Sequence, residues 1–375
     1  MRTSLFALLA GFFVMGFVDV TGIATNYIRQ DFGLPHAVAN LLTMAVFLWF
    51  AVCSVPTGLL MNRYGKKRVV CGSLLLTLVA LLVPLAAYTY PTLLLAFALL
   101  GISNTALQVS LNPLTATAVQ PSLLASVLTW GQFIKAVSAF LGPVIASAAA
   151  LWTGQWKLIF ALYALITLAN TLWIARSVPA THETAEASTF GSTLSLFADT
   201  HILRLFIGIL MIVGIDVSLN TCIPPLLMAH TGLPLEQAGL GTSLYFLSRT
   251  AGTFAGALLL TRYPSDTFLR VSMAAALAAL AGLAFCHVSI ALYAAIVLAG
   301  LAYANVFSIL FAAALQYRPG RNNDISSLMV MGVAGGALFP PLMGLIADQG
   351  SQAMSLLIPA AGTLYLLAVK PSRQY

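Results

Sequence analysis

Twelve apolar stretches, each near the length needed to cross a bilayer, constrain this chain more than any other feature. They fall at 4–27, 40–61, 69–89, 91–115, 123–149, 156–176, 203–230, 237–261, 268–287, 289–315, 325–347 and 352–369. A hydrocarbon core of about 30 Å needs roughly 20 helical residues. Spans of this kind become helices because lipid offers the backbone no outside hydrogen-bond partner. With 60% hydrophobic and 7% charged residues and a mean hydropathy of +0.96, the chain is too apolar for a water-soluble globule. The expected class is an all-α membrane protein with twelve transmembrane helices, the break within 268–315 being placed at His287.

The spans also repeat. Val18-Asp19-Val20-Thr21 returns as Ile215-Asp216-Val217-Ser218, and at nearly the same interval Gly58 answers to Gly256, Arg63 to Arg262 and Pro143 to Pro341. The pattern predicts two six-helix pseudo-repeat bundles over 1–177 and 202–375, joined by a flexible cytoplasmic linker over 178–201 that includes Thr181-His182-Glu183-Thr184.

Basic residues orient the chain, because cytoplasmic loops collect Lys and Arg. With both termini inside, Arg2, Arg63, Lys66, Lys67, Arg68, Arg176, Arg204, Arg262, Arg270, Arg318, Arg321, Lys370 and Arg373 are cytoplasmic, and only Arg29 and Lys157 lie outside. The formal charge of +7 is therefore mostly an orientation signal, and nucleic acid is not expected as a partner. The first apolar run is longer than a signal-peptide core and lacks a clear small-x-small cleavage site, so it reads as the first membrane helix. Cys53, Cys71, Cys222 and Cys286 read as small apolar fillers without disulfides. The five histidines show no metal-ligand spacing and no P-loop occurs, so neither metal nor ATP chemistry is expected. The chain does not read as an enzyme and needs no cofactor.

Between the second and third spans stands Gly58-Leu59-Leu60-Met61-Asn62-Arg63-Tyr64-Gly65-Lys66-Lys67-Arg68. This resembles the signature loop of the major facilitator superfamily, G-x-x-x-D-R-x-G-R-K/R. The resemblance implies that superfamily's fold, with Gly58 allowing close helix approach and Arg63, Gly65, Lys66, Lys67 and Arg68 forming a gating loop. Asn62 replaces the usual acid. Gly101 to Pro113, Ser326 to Gly336 with Pro341-Leu342-Met343-Gly344 and Asp348, and Pro56 to Met61 further resemble the fucose permease group of sugar:proton symporters. That resemblance implies a sugar transporter, but Gln108 stands at the acid position of its fourth helix and Gly22 aligns with the acid of its first. Asp19, one turn from Gly22, becomes the candidate coupling residue, with Asp216 its counterpart.

Helical spacing selects the residues able to share a cargo-facing stripe. Asn104, Gln108 and Asn112 form an amide ladder; Asp19 and Gly22 align with Asn26, Asp216 with Asn220, Gln132 with Lys135, Tyr245 with Arg249, and Asn305 with Ser308. Amides offer donors and acceptors to a polyhydroxylated ligand, although they also serve as interhelical glue. Trp130 and Tyr245 could offer a ring to a sugar face, or simply pack. The intramembrane charges Asp19, Lys135, Asp216 and Arg249 sum to zero, which suggests two ion pairs, Asp19 with Lys135 and Asp216 with Arg249.

The leading expectation is a monomeric transporter in the inner membrane that moves a sugar-like cargo by alternating access with proton coupling. An acidic sugar or organic anion met by Lys135 or Arg249, an uncoupled facilitator, a lipid flippase and a non-transporting receptor are the alternatives.

Overall fold

The computed structural model describes residues 2–118, 121–179, 190–260, 262–317 and 322–371. In chain order its helices are α1 (Arg2–Met15), a 3-10 segment (Gly16–Val20), α2 (Thr21–Phe32), α3 (His36–Tyr64), α4 (Lys66–Ala86), α5 (Tyr90–Ala118), α6 (Pro121–Thr153) and α7 (Leu158–Ser177). The second half continues with α8 (Phe190–Ser195), α9 (Thr200–Thr231), α10 (Leu235–Ala238), α11 (Leu240–Leu259), α12 (Ser265–Phe285), α13 (Ser289–Tyr303) and α14 (Val306–Tyr317). It ends with α15 (Asn322–Met331), α16 (Gly335–Gln349), α17 (Gln352–Ser355) and α18 (Leu357–Ala368). Ten helical stretches of the described residues are long and apolar enough to cross a membrane. Leu240–Leu259 and the shorter Gln352–Ala368 occupy the eighth and twelfth expected positions.

The core divides in two. One cluster joins Phe12, Phe17, Phe50, Phe97 and Tyr163, and the other joins Ile209, Ile215, Met273, Tyr303 and Leu310. The expected break at His287 lies between α12 and α13, where Cys286 is extended. Gly65 has φ +83°, a conformation that resists side chains, and this single residue ends α3 and starts α4.

Three expectations change. The first span is not one continuous α-helix, because the 3-10 segment interrupts it and carries Asp19. Part of the linker, residues 180–189 with Thr181 to Thr184, lies outside the described residues, and 190–198 is helical instead of flexible. Among the described residues, Gly58 meets no heavy atom within 4 Å of where a Cβ would stand, so none of them makes it a close-approach glycine. That role belongs to glycines such as Gly101, which abuts the Val46 backbone, and Gly344, which abuts Ala37.

Proline shapes α9. Pro224 and Pro225 lack N–H groups, which leaves the Asn220 and Thr221 carbonyls without their helical donors. Both find others: Thr242 Oγ1 donates to the Asn220 carbonyl at 3.3 Å, and Asn26 Nδ2 donates to that of Thr221 at 2.8 Å. The second of these bonds joins the two bundles.

On the face away from the termini, Asp31 accepts from Tyr88 Oη at 2.5 Å and Trp156 Nε1 at 3.0 Å. Burial and the adjacent carboxylate push the Tyr88 phenol well above its ordinary pKa, so it remains a donor. This clasp fixes the ends of α2, α4 and α7 beside one another.

Candidate functional site

Four charges from the two bundles act on one another within the apolar spans. Arg249 Nη1 lies 2.7 Å from Asp216 Oδ2, and Tyr245 Oη donates to Asp216 Oδ1 at 2.6 Å. Asp216 therefore has both oxygens engaged within its own bundle, and the expected pair of the second half is present. The first half differs. Among the described residues, the Asp19 carboxylate and Lys135 ammonium make no hydrogen bond or ion pair, which corrects the expected direct contact. They still act on each other, and Asp19 lies in the fields of Lys135, Asp216 and Arg249 together. The arrangement is one four-charge cluster containing one closed pair and one open pair.

Amides hold the Asp19 segment from two sides. A 3-10 turn leaves carbonyls open to side-chain insertion. Asn104 Nδ2 from α5 donates to the Met15 carbonyl at 2.9 Å, and Asn220 Nδ2 from α9 donates to the Asp19 carbonyl at 2.8 Å. Gly22 makes room for the second strut, since a Cβ there would overlap the Asn220 amide. Gly16 lets α6 approach beside Lys135: a Cβ there would stand 2.7 Å from the Lys135 carbonyl oxygen.

These bonds redirect half of the expected cargo-facing set. Asn26, Asn104 and Asn220 grip backbone carbonyls, as does Asn305, whose Nδ2 donates to the Gly252 carbonyl at 2.8 Å. Tyr245 is fully buried against Asp216 and shows no ring face to a ligand. Their Nδ2 groups and the Tyr245 hydroxyl satisfy the protein's own polar groups, the glue role such residues often play in bundles, while Asn220 Oδ1 stays buried without a partner among the described residues. Gln108, Asn112, Gln132, Lys135 and Arg249 retain partial or full exposure. Gln108 Nε2 donates to Asn104 Oδ1 at 2.7 Å, while Asn112 Oδ1 on α5 and Ser138 Oγ on α6 are buried without partners among the described residues. Trp130, near Gln132 on α6, is 57% exposed, and the neighbouring Phe133 meets Phe254 of the second bundle at 5.7 Å.

On the side away from the termini, inter-bundle bonds from Asn26, Asn40 and Asp348 cover the cluster. Along α5, Asn104 is buried, whereas Gln108 and Asn112, closer to the terminal face, are half-buried.

The family model for the Major Facilitator Superfamily matches residues 7–215 and 205–371. The chain belongs to that superfamily. A glucose/galactose transporter from Brucella abortus biovar 1 (strain 9-941) is 26% identical over 377 residues, covering 95% of this chain and 90% of the relative. The nucleoside transporter NupG superposes with a TM-score of 0.82 at 13% identity, covering 97% of this chain and 98% of NupG. The Escherichia coli fucose:proton symporter FucP gives 0.68 at 19% identity, with 97% and 96% covered. These two likenesses establish the fold.

The superfamily's signature loop is built from Gly65 and its basic neighbours. Lys67 Nζ donates to the Ala175 carbonyl at the end of α7, 2.8 Å away, and so ties the loop to the last helix of its bundle. Arg63 is exposed, with its guanidinium 5.3 Å from the Tyr64 ring centre. Lys66 is half-buried and Arg68 exposed, and the Asn62 side chain lies outside what the structure describes. Asp348 of α16 and the N-terminal end of α3, which sequence reasoning did not place in the site, meet on the opposite face.

Proposed function

We propose that the chain carries a sugar or sugar-like polar metabolite across the inner membrane by alternating access, with proton coupling at Asp19. The observation that carries this reading is the contrast between the two charge pairs. Asp216 and Arg249 neutralise each other, whereas Asp19 and Lys135 keep their bonding capacity at the inter-bundle interface. Adjacent hydroxyls of a sugar can donate to a carboxylate and accept from an ammonium, so one cargo satisfies both. Asn112 Oδ1 and Ser138 Oγ supply further unpaired polar atoms. The similarity to a glucose/galactose transporter and to a fucose:proton symporter supports that cargo class.

Charge balance favours a neutral cargo while Asp19 is ionised, because the four-residue cluster already sums to zero. An acidic cargo forms the second reading: protonation of Asp19 leaves Lys135 unbalanced and able to receive a carboxylate. Arg249 contributes less to that reading than expected, since Asp216 already occupies it. In this account the bundles span 1–177 and 202–375, the linker is 178–201, both termini are cytoplasmic, and the protein works as a monomer. It binds only cargo and protons within its lipid bilayer.

Purified protein tests both parts. Thermal shift against glucose, galactose, fucose and their uronic acids at two pH values should show stabilisation by a neutral sugar. Proteoliposomes should then accumulate that sugar only under an inward proton gradient. Stabilisation by uronic acids alone would select the second reading, and equal uptake with and without the gradient would remove proton coupling.

A further inference from the structure

Helix α3 begins without a cap of its own. Its N-cap residue is Pro35, which has no side-chain acceptor, and no local side chain receives the first amides of the helix. Such N–H groups need acceptors, and they stand at the positive end of the helix dipole. The acceptor comes from the other bundle: Asp348 Oδ1 and Oδ2 receive the His36 and Ala37 amides at 2.7 and 2.8 Å.

Asp348 belongs to a longer seam. On α16, Pro340, Gly344 and Asp348 recur every fourth residue and therefore share a face. The Pro340 carbonyl accepts from Asn40 Nδ2 at 2.7 Å, while a Cβ on Gly344 would stand 2.7 Å from the Ala37 nitrogen. The seam is thus tight where α16 lacks a side chain and charged where it ends. Arg29 lies in the field of Asp348, and Gln352 Nε2 meets His36 Nε2 at 2.7 Å. Beneath it lies a small polar pocket lined by Asn26, Arg29, Asn40 and the native Cys222.

We propose that Asp348 is the gating residue of the face away from the termini. It caps α3 across the bundle interface, so that face opens only when α3 loses its cap. The seam then sets the balance between the two access states, independently of the signature loop on the opposite face. This rests on the alternating-access reading for its role in transport, but its test needs neither cargo nor a proton gradient.

Cys222 provides the reporter. In a full-length protein with Cys53, Cys71 and Cys286 replaced by Ala, purified in detergent, the maleimide labelling rate of Cys222 measures opening of this pocket. Loss of two charge-assisted hydrogen bonds predicts a rate roughly tenfold higher in Asp348→Ala, with a smaller rise in Asp348→Asn. Pro35→Asp gives α3 a cap on its own chain and leaves Asp348 intact, so it should also raise the rate. Labelling within about twofold of the parent in both Asp348→Ala and Pro35→Asp would overturn the proposal. A sugar screen that found no cargo would count against the transport reading and leave this result standing.

Discussion

At the residue scale, matching local sequences carry unlike chemistry. Asp216 accepts from Arg249 and Tyr245, whereas Asp19 lies in a field of three charges without a direct bond. Removing one member of a desolvated pair strands the other. Arg249→Ala should destabilise the protein by about 2 kcal/mol, below the fully buried range because the Arg249 side chain is 32% exposed. The double variant Asp216→Asn/Arg249→Ala should recover most of that loss in detergent thermal unfolding, and failure to recover would refute pairing as the cause. Asp19→Asn should leave folding intact, abolish gradient-driven accumulation and retain exchange of labelled for unlabelled cargo. Accumulation at the parent level would remove Asp19 from coupling. The second pair was legible in the sequence because Asp216 and Arg249 are the opposite intramembrane charges of their half. The open first pair was not, since the lateral placement of α6 beside the 3-10 segment depends on Gly16 and its contacts with Ser138 and the Lys135 backbone.

At the element scale, helix irregularities determine where amides are needed. Pro225 deprives the Thr221 carbonyl of its helical donor, and Asn26 supplies another from the opposite bundle. Asn26→Leu should therefore cost about 1 kcal/mol, within the range for hydrogen bonds between membrane helices. The same substitution should cost less in a Pro225→Ala background, where residue 225 regains an N–H for Thr221. A double-mutant cycle with no coupling between positions 26 and 225 would sink this explanation. Sequence spacing correctly grouped Asn104, Gln108 and Asn112 on one face. It could not tell which amides would find carbonyl partners, because those carbonyls become available through a 3-10 turn and a proline in other elements. Likewise, Gly58 belongs to a recognisable loop but faces open space, and a motif alone carries no information about what the neighbouring helix brings near it.

At the scale of the whole molecule, the apolar runs and repeated landmarks gave the span positions, including the helix boundary near His287, and the resemblance carried by the Gly58–Arg68 loop gave the superfamily. They could not give the access state, which depends on how the bundles tilt. In this state Asn40 is buried against Pro340, and Thr25 lies 3.3 Å from Thr43 within the sealed side. Gln132 is exposed and lies in the half of α6 nearer the face that carries the termini. If that face is cytoplasmic, a single cysteine at Gln132 should react with a membrane-impermeant maleimide in inside-out vesicles and remain protected in intact cells. A cysteine at Thr25 should be protected from both sides until the opposite face opens. Cargo that favours the other access state should shift the two positions reciprocally, lowering reaction at 132 and raising it at 25, because one equilibrium governs both. Independent changes at the two positions would contradict a rigid exchange of access and point instead to separate local gates.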